Sequence, residues 1–255
     1  MNLEAIRKQL DHERRHLRRT GEIIEILPNV TRVQNDSQHS IVYSCLTAAD
    51  ADEAIASEIA HYRQLGVSFE WKLFSHDLPT DLLTRLQRHG LAAEPAEAVM
   101  VYDLATPADW IVEPSDIRVV HIDRPDLLPD YRIVAEEVFN KKYDFTINQL
   151  SEAIATSSTE HVGYVAYAGD EPVTIGRLYT HPQSQFAGCY GGGTRAAFRG
   201  RGFYRAMVAA RARDATASGA KYLLVDALPT SRPILERLGF QKLADTWPCE
   251  WTPRK

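Results

Sequence analysis

The sequence contains little cysteine, and its cysteines form no pattern that indicates a disulfide framework or a zinc site. The three cysteines, Cys45, Cys189 and Cys249, are scattered through 255 residues with no C-x-x-C pair. Small secreted domains use dense, paired cysteines, and structural zinc sites use closely spaced ones. We therefore expect a reducing compartment, a cytoplasmic location and no bound metal.

The sequence also lacks long apolar runs and an excess of positive charge. No apolar run is long enough to span a bilayer. The opening segment, MNLEAIRKQLDHERRHLRR, is charged throughout and has no apolar signal core. The formal net charge is −5, which gives no overall electrostatic attraction to nucleic acid. We expect a protein that neither enters a membrane nor binds nucleic acid.

What the chain does contain is enough apolar sequence for packed cores. It is 44% hydrophobic, which is too much for a disordered chain, and its length allows one large domain or two ordinary ones. The segment Thr106 to Asp116, TPADWIVEPSD, has two prolines and no periodicity, which is typical of a linker. We therefore predict an α/β protein with two domains, 1–112 and 113–255.

Periodicity places helices and strands along both halves. Predicted helices cover 3–19, 50–65, 80–89 (with Thr80 as N-cap), 127–140, 203–218 and 233–238. Predicted strands cover 41–46, 69–74, 98–104, 117–121, 163–167, 173–180, 186–194 and 222–227, and 240–251 supplies the last strand or strands. The stretch from Asn140 to Thr159 is expected to be a loop.

Two segments of the chain echo each other. Residues 71–91 read WKLFSHDLPTDLLTRLQRHGL, and residues 222–240 read YLLVDALPTSRPILERLGF. Both give a strand, Leu-Pro-Thr, a short helix, a glycine and an apolar residue. Each also follows a predicted helix that ends in glycine, Gly66 or Gly219. Coincidence between two short units is the alternative, and we favour a duplication.

The stretch Thr194 to Val208, TRAAFRGRGFYRAMV, predicts an anion site. Gly200 and Gly202 alternate with Arg199 and Arg201 just before a predicted helix. A helix start has backbone N–H groups without intrahelical partners and carries partial positive charge. Glycines allow a ligand to approach the backbone, and arginines add full charges. Phosphate is the anion that best fits this pattern.

The corresponding helix start in the first half has the opposite charge. It reads Ala48-Ala49-Asp50-Ala51-Asp52-Glu53. Three carboxylates complement the helix dipole but repel a phosphate. If both halves share a fold, only the second half has the anion site.

Two common phosphate loops do not fit the segment at Gly200. A nucleotide P-loop needs G-x-x-x-x-G-K-[ST], and no Lys-Ser or Lys-Thr follows Gly202. A dinucleotide fingerprint needs G-x-G-x-x-G, and Arg205 stands where its third glycine should be. The chain before the loop also resembles antiparallel hairpins and not the start of a βαβ unit.

The loop instead resembles the coenzyme A loop of the GNAT N-acetyltransferase superfamily, R/Q-x-x-G-x-G/A. Arg199 and Gly202 match this pattern, while Tyr204 stands where the family prefers Gly or Ala. The segment ILERLGF, Ile234 to Phe240, resembles the family's closing helix. The resemblance covers roughly residues 116–255. A degenerate first half before an intact second half resembles tandem GNAT proteins.

The resemblance implies a fold, a cosubstrate and a reaction. It implies two GNAT-like domains, each a mixed, mostly antiparallel sheet flanked by helices. It implies acetyl-CoA as cosubstrate and transfer of an acetyl or similar short acyl group to a small amine or a peptide amine. The fusion of two domains is compatible with a monomer. The residues implied in coenzyme A binding are Gly192, Gly193, Thr194, Arg199, Gly200, Arg201, Gly202, Phe203 and Tyr204.

Within this resemblance the run Gly191-Gly192-Gly193 suits a pantetheine arm that pairs with the strand ending at Thr194. A β-bulge without a ligand is the alternative. Acceptor contacts are expected from 127–140, from the following loop to Thr159 and from the cleft between the two predicted domains. Within 127–140, Glu136 and Glu137 could attract a cationic amine or merely solvate a helix.

The catalytic residues are less defined. Many family members have a tyrosine on the closing helix as the acid, and Leu235 occupies that position here. An acyl-CoA-binding module without catalysis is therefore the alternative function. Tyr190 shares a strand face with Gly192 and Thr194 by simple alternation, and Asp226 ends the strand YLLVDA. Both are candidate catalytic residues, with packing and turn capping as their structural alternatives.

Two other patterns suggest different chemistry. His12-Glu13-Arg14-Arg15-His16 matches H-E-x-x-H, the zinc-peptidase helix, although its flanks are those of a solvated helix and no third ligand is apparent. The arginines of this segment could also bind nucleic acid, but a basic solvated face is favoured. His76-Asp77 is interpreted as a strand-end turn cap.

Overall fold

A computed structural model describes residues 1–35, 38–112 and 116–253. The chain forms two compact units. Unit 1 comprises Met1–Met100, Ala227–Arg232 and Lys242–Lys255, and unit 2 comprises Val101–Asp226 and Pro233–Gln241. Each unit therefore takes residues from both predicted halves. The predicted boundary between 112 and 113 adjoins residues 113–115, which lie outside the described residues, and it stays a prediction.

Helices and strands alternate along the chain. The helices are α1 (Leu3–His16), α2 (Ala51–Leu65), α3 (Leu82–Arg88), α4 (Asp109–Val112), α5 (Leu128–Phe139), α6 (Asp144–Ala155), α7 (Phe203–Ala217) and α8 (Arg232–Arg237). The strands are β1 (Ile23–Ile26), β2 (Val30–Gln34), β3 (His39–Ser44), β4 (Phe69–Phe74), β5 (Ala92–Ala93), β6 (Glu97–Asp103), β7 (Arg118–His121), β8 (His161–Ala168), β9 (Glu171–Tyr179), β10 (Phe186–Thr194), β11 (Tyr222–Ala227) and β12 (Gln241–Trp251).

The sheet of unit 1 has the order β1-β2-β3-β4-β12, with β5 paired to β12. Strands β3 and β4 are parallel, and the other pairs are antiparallel. The apolar face of α2 is buried in the core, where Ile55 and Tyr62 pack with Trp71 of β4. Strand β12 supplies Cys249 and Trp251 to the same core. The end of the chain therefore completes the unit that the beginning of the chain forms.

The sheet of unit 2 has the order β6-β11-β10-β9-β8-β7. Strands β10 and β11 are parallel, and the pairs from β10 through β7 are antiparallel. Helices α5 and α6 cover one face, where Tyr131 and Leu150 pack with Ile175 of β9. Helix α7 covers the other face, because a Cβ on Gly176 would lie 3.1 Å from the sulfur of Met207. Both units are thus mixed, mostly antiparallel sheets flanked by helices, and the predicted fold class is confirmed.

The two units repeat one motif. In each, a helix joins two parallel strands: α2 joins β3 to β4, and α7 joins β10 to β11. Each helix is followed by a glycine in the left-handed conformation, Gly66 at φ 72° and Gly219 at φ 84°, where other residues are strained. Each second strand leads through Leu-Pro-Thr to a short helix, α3 or α8. This repetition supports a duplication.

Several predicted elements need correction. Helix α6 occupies part of the predicted 140–159 loop, and α4 lies inside the predicted linker. Strands β1 and β2 were not predicted. Helix α3 begins at Leu82 with Asp81 at its N-cap position, so Thr80 is not the cap. Helix α1 ends at His16, because Leu17 leaves the helical conformation.

Candidate functional site

The predicted anion loop connects β10 to α7 in unit 2. A single 3₁₀ turn, Ala196–Phe198, follows β10, and α7 starts at Phe203. Gly200 and Gly202 both adopt left-handed conformations, with φ of 74° and 85°. These conformations are strained for any residue with a Cβ, so the loop geometry explains both glycines.

The amides of this loop are unpaired. Among the residues that the structure describes, the N–H groups of Gly200, Arg201, Gly202 and Phe203 have no hydrogen-bond acceptor. The first turn of α7 contains no acidic residue, and its first helical bond runs from the amide of Ala206 to the carbonyl of Gly202 at 3.0 Å. Exposed, unpaired amides at the positive end of a helix form an anion site.

Two arginines add charge to this site. The Nε of Arg199 donates to the carbonyl of Thr194 at 3.1 Å, which ties the loop to the end of β10. The guanidinium of Arg201 lies 5.2 Å from the ring centre of Phe198. Neither arginine has a carboxylate partner in the described part of the chain, whereas Arg195 nearby pairs with two glutamates. The loop therefore has uncompensated positive charge.

The start of α2, the equivalent helix of unit 1, carries carboxylates that bond to other groups of the protein. Asp50 accepts from the amide of Thr47 at 2.7 Å. Asp52 pairs with Arg85 and accepts from His89 at 3.0 Å. Carboxylates occupy the positive end of this helix, as its sequence predicts, and they disfavour a second anion there.

Strands β10 and β11 separate next to the loop. They pair from Phe186 with Tyr222 to Cys189 with Val225. Beyond that point β10 continues to Thr194, and among the described strands it pairs there with β9 only. The candidate residues Tyr190 and Asp226 each lie one position past the last pair. In parallel strands this places both on the same face, on either side of the opening.

A β-bulge interrupts β10 at the glycine run. Tyr190 is opposite Arg177 and Gly193 is opposite Ile175, so three steps along β10 match two along β9. Gly191 has φ of 55°, and a bulge breaks the alternation of side chains. A Cβ on Gly192 would lie 3.3 Å from Cε2 of Tyr204 on the α7 face. The prediction that Tyr190 shares a face with Gly192 and Thr194 is therefore wrong.

The hydroxyl of Tyr190 lies away from the loop. A Cβ on Gly188 would be 2.7 Å from the Tyr190 ring and 2.9 Å from its hydroxyl oxygen, so the side chain extends back along β10. It is 37% exposed. Asp226 is half-buried. The roles of both as catalytic residues stay predictions.

The remaining predicted residues differ in their surroundings. Gly193 is buried against α5, because a Cβ there would lie 2.5 Å from Cγ1 of Val138. Packing alone thus explains this glycine. Thr194 is buried and its hydroxyl accepts from that of Thr174 at 2.9 Å. Gly192 is exposed beside the opening.

Three polar side chains near the bulge were not predicted. Tyr131 is 0% exposed and Arg211 is 1% exposed. The hydroxyl of Tyr131, the Nε of Arg177 and one terminal nitrogen of Arg211 are buried without a hydrogen-bond partner in the structure. The strand EPVTIGRLY offered a signal, because it has a single arginine among apolar residues. The helix FYRAMVAARARDATA offered none, because Arg211 is one of its three arginines.

A cavity of about 770 Å³ lies at the other end of α7. His121 and Asp214 at its wall form an ion pair of 2.8 Å, and Tyr164 donates to Asp214 at 2.7 Å. The hydrogen bond to Asp214 raises the pKa of His121, although burial opposes this. Burial opposes ionisation of Asp214, but the bonds from His121 and Tyr164 outweigh it and lower its pKa. This cavity is separate from the glycine loop.

The zinc hypothesis gains no support in unit 1. His12 and His16 are exposed with ring centres 4.6 Å apart, and in the described chain no third ligand atom joins them. Ligand-type atoms of Asp11, His76 and Asp77 do cluster. Because the guanidinium of Arg14 hydrogen-bonds both carboxylates, it already supplies their counter-charge.

Asp77 also accepts from the amide of Phe74 at 2.9 Å, so it caps the end of β4. The interpretation of His76-Asp77 as a strand-end turn cap is confirmed for Asp77. Across the described residues, none of the helices combines the length and apolarity needed to cross a bilayer.

Comparison with known proteins identifies the fold. No protein-family model matches the sequence, and no curated protein matches it. A GCN5-related N-acetyltransferase from Kribbella flavida superposes with a TM-score of 0.68 at 13% identity, over 99% of this chain and 95% of that one. One from Sphaerobacter thermophilus gives 0.59 at 12% identity, over 91% and 82% of the chains.

A tandem GNAT protein from the clavulanic acid biosynthesis pathway superposes with a TM-score of 0.54 at 11% identity, over 89% of this chain and 79% of that one. At such identities the similarity establishes the fold. The chain therefore has the GNAT fold, as its glycine loop and closing helix indicated.

Proposed function

We propose that the chain is an acyltransferase that moves an acetyl or similar short acyl group from acetyl-CoA to an amine. One observation carries the proposal. The unpaired amides of Gly200, Arg201, Gly202 and Phe203 lie at the start of α7, beside the point where β10 and β11 separate. Diphosphate is the part of coenzyme A that such amides bind.

In this proposal the diphosphate contacts the four amides and the backbone of Tyr204, while Arg199 and Arg201 add charge. The pantetheine arm pairs with the edge of β10 that β11 leaves, from Tyr190 to Thr194. Backbone amides of that edge then polarise the thioester carbonyl. The opening is bordered by the candidate residues Tyr190 and Asp226.

The reaction proposed is direct attack of the amine on the thioester. The nitrogen forms a bond to the carbonyl carbon, the carbon–sulfur bond breaks, and the sulfur leaves as thiolate. A primary amine has a pKa of about 10 and is mostly protonated at neutral pH, so it must first lose a proton. We propose Asp226 as the acceptor of that proton. After the attack the nitrogen carries one proton more than the amide product, and this proton passes to Tyr190 as the Tyr190 hydroxyl protonates the departing thiolate.

A second candidate function rests on Leu235. Leu235 lies in α8, at the position where many family members have the tyrosine that acts as general acid. Its side chain is completely buried. The hydroxyl of Tyr190 also lies back over Gly188. Both observations favour a module that binds acyl-CoA without transferring the acyl group.

The coenzyme A site is tested by calorimetric titration of acetyl-CoA into wild type and Gly202→Glu. The control is Gly219→Glu, because Gly202 and Gly219 have φ of 85° and 84° at opposite ends of α7. Both variants carry the same backbone strain, but only the first puts a carboxylate against the diphosphate. We expect a loss of about tenfold or more in affinity for Gly202→Glu alone. Equal affinity of all three proteins would refute the site.

Transfer is separated from binding by following free thiol. The protein is mixed with acetyl-CoA and a panel of small and peptide amines, and thiol release is compared with and without each amine. Amine-dependent release supports the transferase. Tight binding without release supports the binding module.

The proposal extends to the setting of the protein. We place it in the cytoplasm as a monomer that acts on a small amine or a peptide amine, with no metal, nucleic acid or membrane partner. Elemental analysis of the purified protein and sedimentation at two concentrations test the metal and the oligomeric state.

A further inference from the structure

Arg177 presents one edge of its guanidinium to an unfilled position. Its Nη1 donates to Oε1 of Gln149 at 3.2 Å. Its Nε and Nη2 face the bulge, where a Cβ on Gly191 would lie 3.5 Å and 3.7 Å from them. The Nε is buried and has no partner. The Nε–H of Arg177 is therefore a buried donor that no group of the described protein satisfies.

Tyr131 points at the same position from α5. Its hydroxyl oxygen would lie 3.7 Å from the Cβ on Gly191. The side chain is 0% exposed, and its hydroxyl makes no hydrogen bond of ordinary geometry in the structure. Burial raises the pKa of this hydroxyl, although the charge of Arg177 and a weak hydrogen bond from it oppose the shift, so the group is protonated and can donate. Three hydrogen-bond donors thus surround the space that a side chain at position 191 would fill.

Among the residues that the structure describes, no carboxylate balances this charge. In the described part of the chain neither Arg177 nor Arg211 takes part in an ion pair. Arg211 lies on the opposite face of the sheet, with a terminal nitrogen 3.4 Å from a Cβ on Gly192. Burying an unpaired charge or an unbonded donor is costly. Two guanidinium groups on either side of one bulge give this position a positive potential.

The arrangement fits a carboxylate. The Nε and Nη2 groups of arginine form a planar fork whose two N–H groups match the two oxygens of a carboxylate. A tyrosine hydroxyl can donate a third bond to one of those oxygens. Because residue 191 is a glycine, it has no side chain of its own in front of these donors.

We propose that a substrate carboxylate binds between Arg177 and Tyr131 at the β10 bulge. This inference rests on the proposed function, because it names a part of the substrate that the acyltransferase selects. The carboxylate has two possible sources. It is the free end of a dicarboxylic acyl group on coenzyme A, or it belongs to the acceptor, as in an amino acid.

The test uses nuclear magnetic resonance of the full chain labelled with ¹⁵N. The Nε–H signal of Arg177 reports on the carboxylate site, and the amides of Gly200 and Gly202 report on the coenzyme A loop. The probes are acetyl-CoA, malonyl-CoA, the common amino acids with acetyl-CoA present, and the matching amino acid amides. We expect a carboxylate probe to shift the Arg177 signal and its uncharged counterpart not to do so.

Three variants measure the contribution of each group. Arg177→Gln removes the fork, and Tyr131→Phe removes the third donor. Arg124→Gln is the control, because Arg124 is exposed and forms an ion pair with Asp126. We expect Arg177→Gln to weaken the carboxylate probe about tenfold or more, and Tyr131→Phe to weaken it by a smaller factor. Acetyl-CoA affinity should change less than about twofold in all three.

The outcomes are distinct. A response to malonyl-CoA but not to acetyl-CoA assigns the carboxylate to the acyl group, and a response to amino acids but not to their amides assigns it to the acceptor. If no carboxylate probe shifts the Arg177 signal, the inference is overturned. That failure is separate from failure of the proposed function, which would appear as unshifted Gly200 and Gly202 amides with acetyl-CoA.

Discussion

The three consecutive glycines of β10 have three different surroundings. Gly191 borders the space in front of Arg177 and Tyr131, Gly192 faces α7, and Gly193 packs against Val138. The run of three glycines predicted that a ligand, the pantetheine arm, approaches the backbone closely. It could not predict that a helix of the protein occupies one of the three positions, because the contact joins residues from distant parts of the chain.

We predict that Gly193→Ala destabilises unit 2 more than Gly192→Ala does. The added methyl at 193 would lie 2.5 Å from a branched side chain, whereas at 192 it would lie 3.3 Å from the edge of a tyrosine ring. Overpacking of this kind costs about 1–3 kcal/mol, and we expect less than about 1 kcal/mol at 192. Urea unfolding of both variants gives the two values. Equal destabilisation would contradict the packing role of Gly193.

We predict a pH-dependent contribution of His121 to stability. The pair with Asp214 raises the folded-state pKa of His121 above its ordinary 6.5. The contribution is therefore fully present below pH 6.5 and is lost as the pH rises through the folded-state pKa. The stability advantage of wild type over His121→Gln should therefore be greatest below pH 6.5 and should shrink as the pH rises above it.

This advantage is measured by native-state hydrogen exchange of β8, which pairs with the strand that carries His121. His12→Gln is the control, because His12 is exposed and its loss should not change β8. An advantage that grows with pH would show that the ion pair does not stabilise unit 2.

At the scale of elements, the sequence predicted α2 and α7 well. The predicted ends of both helices lie within one residue of the observed ends. The sequence also showed that acidic side chains stand at the start of α2 and basic ones at the start of α7. Amphipathic periodicity and glycine stops are local signals, which explains this success. The α6 helix was missed because its segment, DFTINQLSEAIA, follows a polar stretch and has no side-chain N-cap.

The position of the bulge in β10 could not be predicted from the local sequence either. Gly191-Gly192-Gly193 allows a bulge at any of its positions, and the pairing with β9 decides which residue is extra. Because of the bulge, Tyr190 and Gly192 lie on opposite faces of the sheet, whereas simple alternation had placed them on the same face. Predictions of strand faces are least secure where a glycine run crosses the strand.

We predict that acetyl-CoA protects the start of α7 from hydrogen exchange and leaves the start of α2 unchanged. The amides from Gly200 to Phe203 have no acceptor within the described chain and should exchange fast in the free protein. A diphosphate would bond them, whereas the negative charges of Asp50 and Asp52 at the other helix start repel a diphosphate. Mass spectrometry of peptic fragments measures both. Unprotected α7 amides at saturating acetyl-CoA would contradict the loop assignment.

At the scale of the whole molecule, the duplication could be predicted from the sequence. The pairing of the last strand, β12, with β4 of unit 1 could not. Each half contains its own strand–helix–strand repeat, so the echo was visible in sequence. The pairing of β12 with β4 joins Trp251 to Phe69 and Thr246 to Phe74. Nothing local in either strand specifies a partner that far away in the chain.

We predict that truncation after Phe240 unfolds unit 1. The truncation removes Cys249 and Trp251 from the core and leaves β4 with an unpaired edge. Loss of such large buried side chains costs several kcal/mol, about 3–5 for a tryptophan alone. Truncation after Thr252 is the control, since it keeps β12. Retained slow-exchanging amides in β4 of the shorter chain would contradict this prediction.

The late position of β12 has a consequence for biosynthesis. Leu73 accepts a hydrogen bond from Thr246, which lies 173 residues further along the chain. At about 5–20 residues per second, the ribosome needs roughly 9 to 35 seconds to pass from one to the other. During that interval the nascent chain carries a half-built sheet with Trp71 inadequately covered. Translation speed and chaperone supply thus affect the yield of folded protein, although neither changes the stability of the native state.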